Sequence, residues 1–238
     1  MSSVVFEKVE YQDLNSIVYE RIKQKFIDNE FVPGEKLDVA RLSESLDVSR
    51  TPVVNALKEL AQNGFVTICP RSATYVRVHT REEIENIFDF REVMEGLVVH
   101  KIIGYLDVAR LEVLRDRLTV LQKRGTPDRG MLGEYLDTEM ELHEYMLRLC
   151  PRIISGKLEN LVDLTKRLRK LHLQYLLEVK GVVGLADTEI QIHIDLANAL
   201  LAGDAKAAER YVRKDIHDTR NGVLEDFEAI EHFARKKF

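Results

Sequence analysis

Tryptophan is absent from the chain, and cysteine occurs only twice, as Cys69 and Cys150. Two cysteines are too few for a disulfide scaffold and form no metal-binding spacing, so they point to a reducing cytosol. No apolar run approaches the roughly 18 residues that a membrane helix needs. Met1 to Lys8 carries acid and lacks the apolar stretch and small-residue cleavage site of a secretory signal. Internal repeats and low-complexity linkers are missing too. These absences imply a cytoplasmic protein with no membrane partner. What is present, 45% apolar and 32% charged residues in 238, is the composition of a globular chain long enough for one large domain or two small ones.

Positive charge is also scarce: the net charge is −5, which does not announce a nucleic-acid binder. Its distribution says more. Residues 1–48 hold six Lys or Arg against ten Asp or Glu, whereas residues 49–78 hold Arg50, Lys58, Arg71 and Arg77 against Glu59 alone. A DNA-binding face must offset phosphate charge, and only this middle segment is positive. All seven histidines lie at His79 or beyond.

Leu14, Val18, Ile22 and Phe26 recur every fourth residue, with Ile17 beside them, the apolar stripe of a first helix. Pro33-Gly34 breaks the chain. Asp38 can cap a second helix that buries Leu42 and Leu46. Ser49 can cap a third with Val53, Ala56, Leu57, Leu60 and Ala61 on its inner face, stopped by Gly64. Phe65 to Ile68 and Thr74 to Val78 read as a small hairpin around Cys69-Pro70-Arg71-Ser72-Ala73. Three helices and a hairpin in this length make a winged helix-turn-helix over residues 1–78.

From Thr80 onward the pattern is helical. Thr80 with Glu83 forms a capping box. Ile84, Ile87, Phe88, Val93, Met94, Leu97 and Val98 follow on one side, and Leu111, Leu114 and Leu118 mark the next helix. Thr126-Pro127-Asp128 opens a third that runs to about Cys150-Pro151. Helices near 153–179, 186–202 and 205–233 follow, broken at Gly181, Gly184 and Gly203-Asp204. The fold class is therefore mainly α, a winged helix-turn-helix with a β-hairpin wing followed by an all-α bundle over residues 79–238.

A helix-turn-helix places the start of its second helix in the major groove. Here that is Ser49 to Asn55. Ser49 and Thr51 are short donors suited to phosphate, Arg50 reaches a phosphate or a guanine edge, Val54 fits a thymine methyl, and Asn55 fits adenine. Arg71, at the hairpin tip, can reach the minor groove or the backbone. Taken singly, each also fits an ordinary helix start or a solvated loop.

Three segments carry a resemblance to a known family: Pro33-Gly34-Glu35-Lys36-Leu37, Leu46-Asp47-Val48-Ser49-Arg50-Thr51-Pro52-Val53, and Ala56-Leu57. Together they resemble the GntR family of bacterial regulators, and the helical remainder resembles the ligand-sensing domain of its FadR-like branch. The resemblance implies that Arg50 and Thr51 contact an operator. Where the family usually has a further Arg and a Glu, this chain has Val54 and Asn55; a wing Gly is replaced by Ser72 or Ala73. A homodimer reading a palindrome in double-stranded DNA is the implied partner arrangement, with half-sites about 34 Å apart.

Glu139 and His143, spaced i, i+4, share a helix face and can clamp one metal ion. They sit where the branch has Asp-x-x-Phe-His. The resemblance adds His193, in Ile192-His193. Counted from the turn Ala202-Gly203-Asp204-Ala205, it adds Asp215 in place of the family's third histidine. His217 is nearby but about 200° further round the helix. Such a set suits Zn²⁺, Ni²⁺, Mn²⁺ or Fe²⁺. Arg91 matches an arginine common near the ligand in the branch; it can hold the carboxylate of an organic-acid effector, or form a salt bridge to a neighbouring acid. Arg167, Arg169, His172 and Tyr175 are further candidates for the cavity. The competing reading is a metal-dependent enzyme in a helical bundle, although no nucleophile motif or phosphate loop accompanies the Glu/His cluster.

Overall fold

The computed structural model describes residues 14–124, 128–181 and 185–237. The chain divides into two compact units between Val78 and His79.

The first unit runs α1 (Leu14–Ile27), β1 (Lys36–Leu37), α2 (Val39–Leu46), α3 (Arg50–Gln62), β2 (Val66–Ile68) and β3 (Thr74–Val76). The four-residue spacing in α1 buries Val18, Ile22 and Phe26, which pack on the inner face of α3: Val53, Ala56, Leu57 and Leu60. Each such side chain contributes about 1.5–3 kcal/mol of burial. Asp38 caps α2, accepting from the N–H groups of Ala40 at 2.7 Å and Arg41 at 3.3 Å; those bonds hold its carboxyl below the usual range. Leu42 and Leu46 are only half-buried, and the buried residue of α2 is Ser43, whose hydroxyl donates to the Val39 carbonyl at 2.6 Å.

The wing is more than a hairpin. β1 joins it to give a three-stranded antiparallel sheet in the order β1-β3-β2, pairing Lys36 with Tyr75 and Leu37 with Thr74. Two residues after Pro33-Gly34 are too short a strand to show alternation in a sequence.

The second unit is all helical: α4 (Arg81–Ile102), α5 (Val108–Lys123), α6 (Arg129–Arg148), α7 (Arg152–Tyr175) running into a π-helical turn (Leu176–Lys180), α8 (Leu185–Leu201), α9 (Ala205–Glu225) and α10 (Phe227–Lys237). The Thr80–Glu83 capping box is present in both directions. Thr126, Pro127 and Gly184 lie outside the described residues, but Asp128 caps α6 by accepting from the Met131 N–H at 2.7 Å. α4 packs along α9, and α5 along α8. Among the described residues no helix is long and apolar enough to cross a membrane.

Two features of the second unit also depart from the sequence reading. On α4, Val93 and Leu97 are exposed, and the inward face carries Arg91 and Glu95 with Ile84, Phe88, Val98 and Val99. The single helix expected over 205–233 is two, broken at Asp226. The Asp226 N–H reaches the Gly222 carbonyl, while its carboxylate takes Lys180 Nζ at 2.7 Å and His172 Nε2 at 3.2 Å. Gly222 is needed for this approach, since a Cβ there would stand 2.8 Å from His172 Cε1.

Candidate nucleic-acid interface and metal centre

Burying one face of α3 leaves the other free. Ser49, Arg50, Thr51 and Asn55 are exposed and Val54 is 37% exposed, so the start of the helix presents all five. Ser49 occupies the N-cap position without making a side-chain cap bond. The positive end of the helix dipole is thus open to an anion. Asn55 donates from Nδ2 to Asn15 Oδ1 of α1 at 3.3 Å. Arg71 stands exposed at the wing tip with φ +60°, in the left-handed region that favours glycine. Bonds from Cys69 N–H to the Ala73 carbonyl and from Ser72 N–H to the Cys69 carbonyl close that turn.

In the second unit α6, α8 and α9 bring His143, His193 and Asp215 together. All three are buried, and their donor atoms lie within 4.8 Å of one another. His143 Nε2 is 3.3 Å from Asp215 Oδ2, and His193 Nε2 is 3.4 Å from Asp215 Oδ1. The other nitrogen of each ring is already engaged. His143 Nδ1 meets Glu95 Oε2 at 2.8 Å, and His193 Nδ1 meets the Glu189 carbonyl at 2.8 Å with the Tyr135 hydroxyl at 3.3 Å. Such partners fix the ring orientation, so both imidazoles turn Nε2 toward Asp215.

The electrostatics favour a cation at this point. Burial pulls the His143 imidazole down, but its bonds to Asp215 and Glu95 outweigh burial and push it up to about 10. Burial likewise opposes ionisation of Asp215, yet His193, His143 and Arg169 hold its carboxyl well below the usual carboxylate range. His193 Nε2 and Glu139 Oε2 are buried without a hydrogen-bond partner. Unsatisfied buried acceptors of this kind fit a divalent cation, which needs lone pairs rather than protons.

Glu139 lies one turn before His143 on α6 and lines the same cavity, but its Oε1 faces Arg169 Nε at 3.6 Å. Arg169 in turn grips Glu189 with both terminal nitrogens, at 3.1 and 2.6 Å. Arg91 also lines the cavity. It donates from Nε to Glu95 Oε1 at 2.7 Å and from Nη1 to the Thr165 hydroxyl, completing a chain Thr165–Arg91–Glu95–His143. His217 is exposed and stands 3.5 Å from Glu92. Of the four further candidates Arg169 reaches the cavity wall; Tyr175 packs on Phe233 of α10 instead. Glu95, Thr165 and Glu189 had not been singled out in the sequence, although the i, i+4 spacing of Arg91 and Glu95 announces their pairing. The cavity holds only about 20 Å³, room for roughly one water-sized particle.

A family model described as bacterial regulatory proteins, gntR family, matches residues 14–76, and one for the FCD domain matches residues 86–218. The chain is 22% identical over 213 residues to the HTH-type transcriptional repressor RspR of Escherichia coli (strain K12), covering 89% of this chain and 90% of that protein. It is 28% identical over 202 residues to the HTH-type transcriptional repressor GlaR of the same strain, covering 83% and 90%. Its structure is similar to that of E. coli McbR/YncC, with a TM-score of 0.74 at 21% identity over 92% of this chain and 100% of that one, a likeness of fold.

Proposed function

The chain belongs to the GntR family of bacterial regulatory proteins and carries an FCD domain; from that premise we propose that residues 1–78 bind a palindromic operator and residues 79–238 sense an organic acid at a divalent metal. It is a DNA-binding transcription regulator, and the family is not one of enzymes. The regulator acts in the cytoplasm, where its operator is.

On the DNA side, Ser49, Arg50, Thr51, Val54 and Asn55 enter the major groove, and Arg71 reaches the minor groove or the backbone. A homodimer sets the half-site spacing. Its support is the exposed stripe Phe90, Val93 and Leu97 on α4, with Glu82 toward one end and Lys101 at the other. Antiparallel pairing about a two-fold axis brings each charge near its opposite.

The observation that carries the sensing half is the convergence of two imidazole Nε2 atoms on Asp215, one of them unpartnered. His143, His193 and Asp215 would hold the ion, and Glu139, one turn before His143, is the candidate for a fourth group. Bound there, the ion would supply positive charge to which an effector carboxylate could bind. The donor set accommodates Zn²⁺, Ni²⁺, Mn²⁺ or Fe²⁺, and its imidazoles favour Zn²⁺. Arg91 adds positive charge on the cavity wall as second anchor for the effector, while its bond to Glu95 orients His143.

Binding to genomic fragments, followed by fluorescence anisotropy at stated salt, tests the DNA half: Arg50→Ala weakens operator binding by about 1–3 kcal/mol, and unchanged affinity removes Arg50 from the interface. Elemental analysis of protein purified without chelator tests the other half. One divalent ion per chain is expected, lost in His143→Ala. The metal reading ends if wild type holds no ion and added Zn²⁺ or Ni²⁺ raises its Tm no more than that of His143→Ala.

A further inference from the structure

We propose that Arg169 sets the affinity of the metal centre by competing with the bound cation for the Glu139 carboxylate. This rests on the metal reading above and extends it to a residue outside the converging set His143, His193 and Asp215.

Arg169 is buried to 3% exposure, and its two terminal nitrogens are pinned on Glu189. Its Nε has no hydrogen-bond partner. Glu139 Oε1 stands 3.6 Å from that Nε, too far for a good hydrogen bond, and Glu139 Oε2 is also unpartnered. Two buried groups of opposite charge therefore face each other in a loose ion pair, and each keeps one atom without a hydrogen bond. Leaving buried charge underpartnered is costly, so the pair has a strong incentive to rearrange. The guanidinium cannot follow, because Glu189 holds it. The carboxylate can: it sits one helical turn from His143 on the same cavity wall.

Glu139 thus has two destinations, a fixed cation at Arg169 and a bindable one at His143, His193 and Asp215. While Arg169 keeps it, His143, His193 and Asp215 alone would hold the ion, leaving it able to take a ligand. Released, Glu139 would close the site and bind the ion more tightly. Glu189 ties the two halves together, since its carbonyl fixes the His193 ring and its carboxylate fixes Arg169.

The test is Zn²⁺ titration of the full chain against a competing chelator, in wild type, Arg169→Gln, Glu139→Gln and the double variant. Arg169→Gln should bind Zn²⁺ about tenfold tighter or more, opposite in sign to the loss of about that size usual when a group supporting a metal ligand is removed. The double variant should return to the affinity of Glu139→Gln, because the gain runs through Glu139. No gain in Arg169→Gln, or a gain that persists in the double variant, overturns the proposal. If Arg169→Gln does not fold, Glu139→Gln decides: a loss of less than about tenfold supports a withheld carboxylate, and a larger loss shows that Glu139 is already a full ligand and overturns it. Zn²⁺ binding that is absent in wild type, or indifferent to His143→Ala, ends the metal reading itself. Binding lost in His143→Ala but not tightened in Arg169→Gln ends this proposal alone.

Discussion

In the first unit the residues proposed to read DNA stand on the surface above an apolar core, whereas the second unit encloses Arg91, Glu95, Glu139, His143, Arg169, His193 and Asp215 among its helices. An exposed Arg50 costs folding almost nothing and is available to a partner. Enclosed charges are tolerated only where they offset one another or a ligand offsets them. Substitutions in the first unit should therefore separate binding from stability. In the second unit the two should move together.

The largest effect is expected where the enclosed network is cut in the middle. Glu95→Leu leaves Arg91 and the inner face of His143 without their carboxylate, and should destabilise the second unit by about 3–5 kcal/mol in denaturant titration. A loss below about 1 kcal/mol would mean that the network is neutral, and the contrast between the units would fail.

His172 sharpens the contrast from the acid side. Burial first, then the charges of Arg169 and Lys180, bring its imidazole down from 6.5 to about 4 against the pull of Asp226. Between those values the unfolded chain holds a proton that the folded chain refuses. Stability should fall as pH drops from 6.5 to about 4 and level off below. His172→Gln should remove that part of the acid limb, about 3 kcal/mol at full extent, in melting curves across pH. An acid limb unchanged by the substitution would assign the loss to the carboxylates instead.

The smallest effect belongs to the wing. Arg71 adopts φ +60°, so Arg71→Gly should stabilise the first unit by about 0.5–1 kcal/mol while weakening operator binding. The opposing signs are the point: a variant that loses both stability and affinity would show that Arg71 braces the wing.

Much of the scaffold was legible because local rules decide it. The four-residue stripe of α1, the inner face of α3, the Asp38 cap and the Thr80–Glu83 box need no distant partner. The face of α4 was misplaced because Val93 and Leu97 are apolar, while Arg91 and Glu95 turn inward to satisfy Thr165 and His143 on other helices. Periodicity cannot see such a partner. The break at Asp226 escaped for the same reason, being held by His172 and Lys180 from α7 and its π-helical turn. Spacing singled out His143 with Glu139, and resemblance added His193 and Asp215; the structure brings His143, His193 and Asp215 together but leaves Glu139 outside that cluster. That Glu139 faces Arg169 depends on how α6 and α7 pack, which no helical phase reveals.

The cavity lined by His143 and Asp215 measures about 20 Å³, against the roughly 300 Å³ or more of ordinary small-molecule sites. Its walls come from α4, α6, α7 and α9. If an effector binds there as proposed, it could enter only by parting at least one of these helices from the rest, so admission and rearrangement would be a single kinetic event. At high effector concentration the observed rate of binding should then stop rising and level off at the rate at which the helices open.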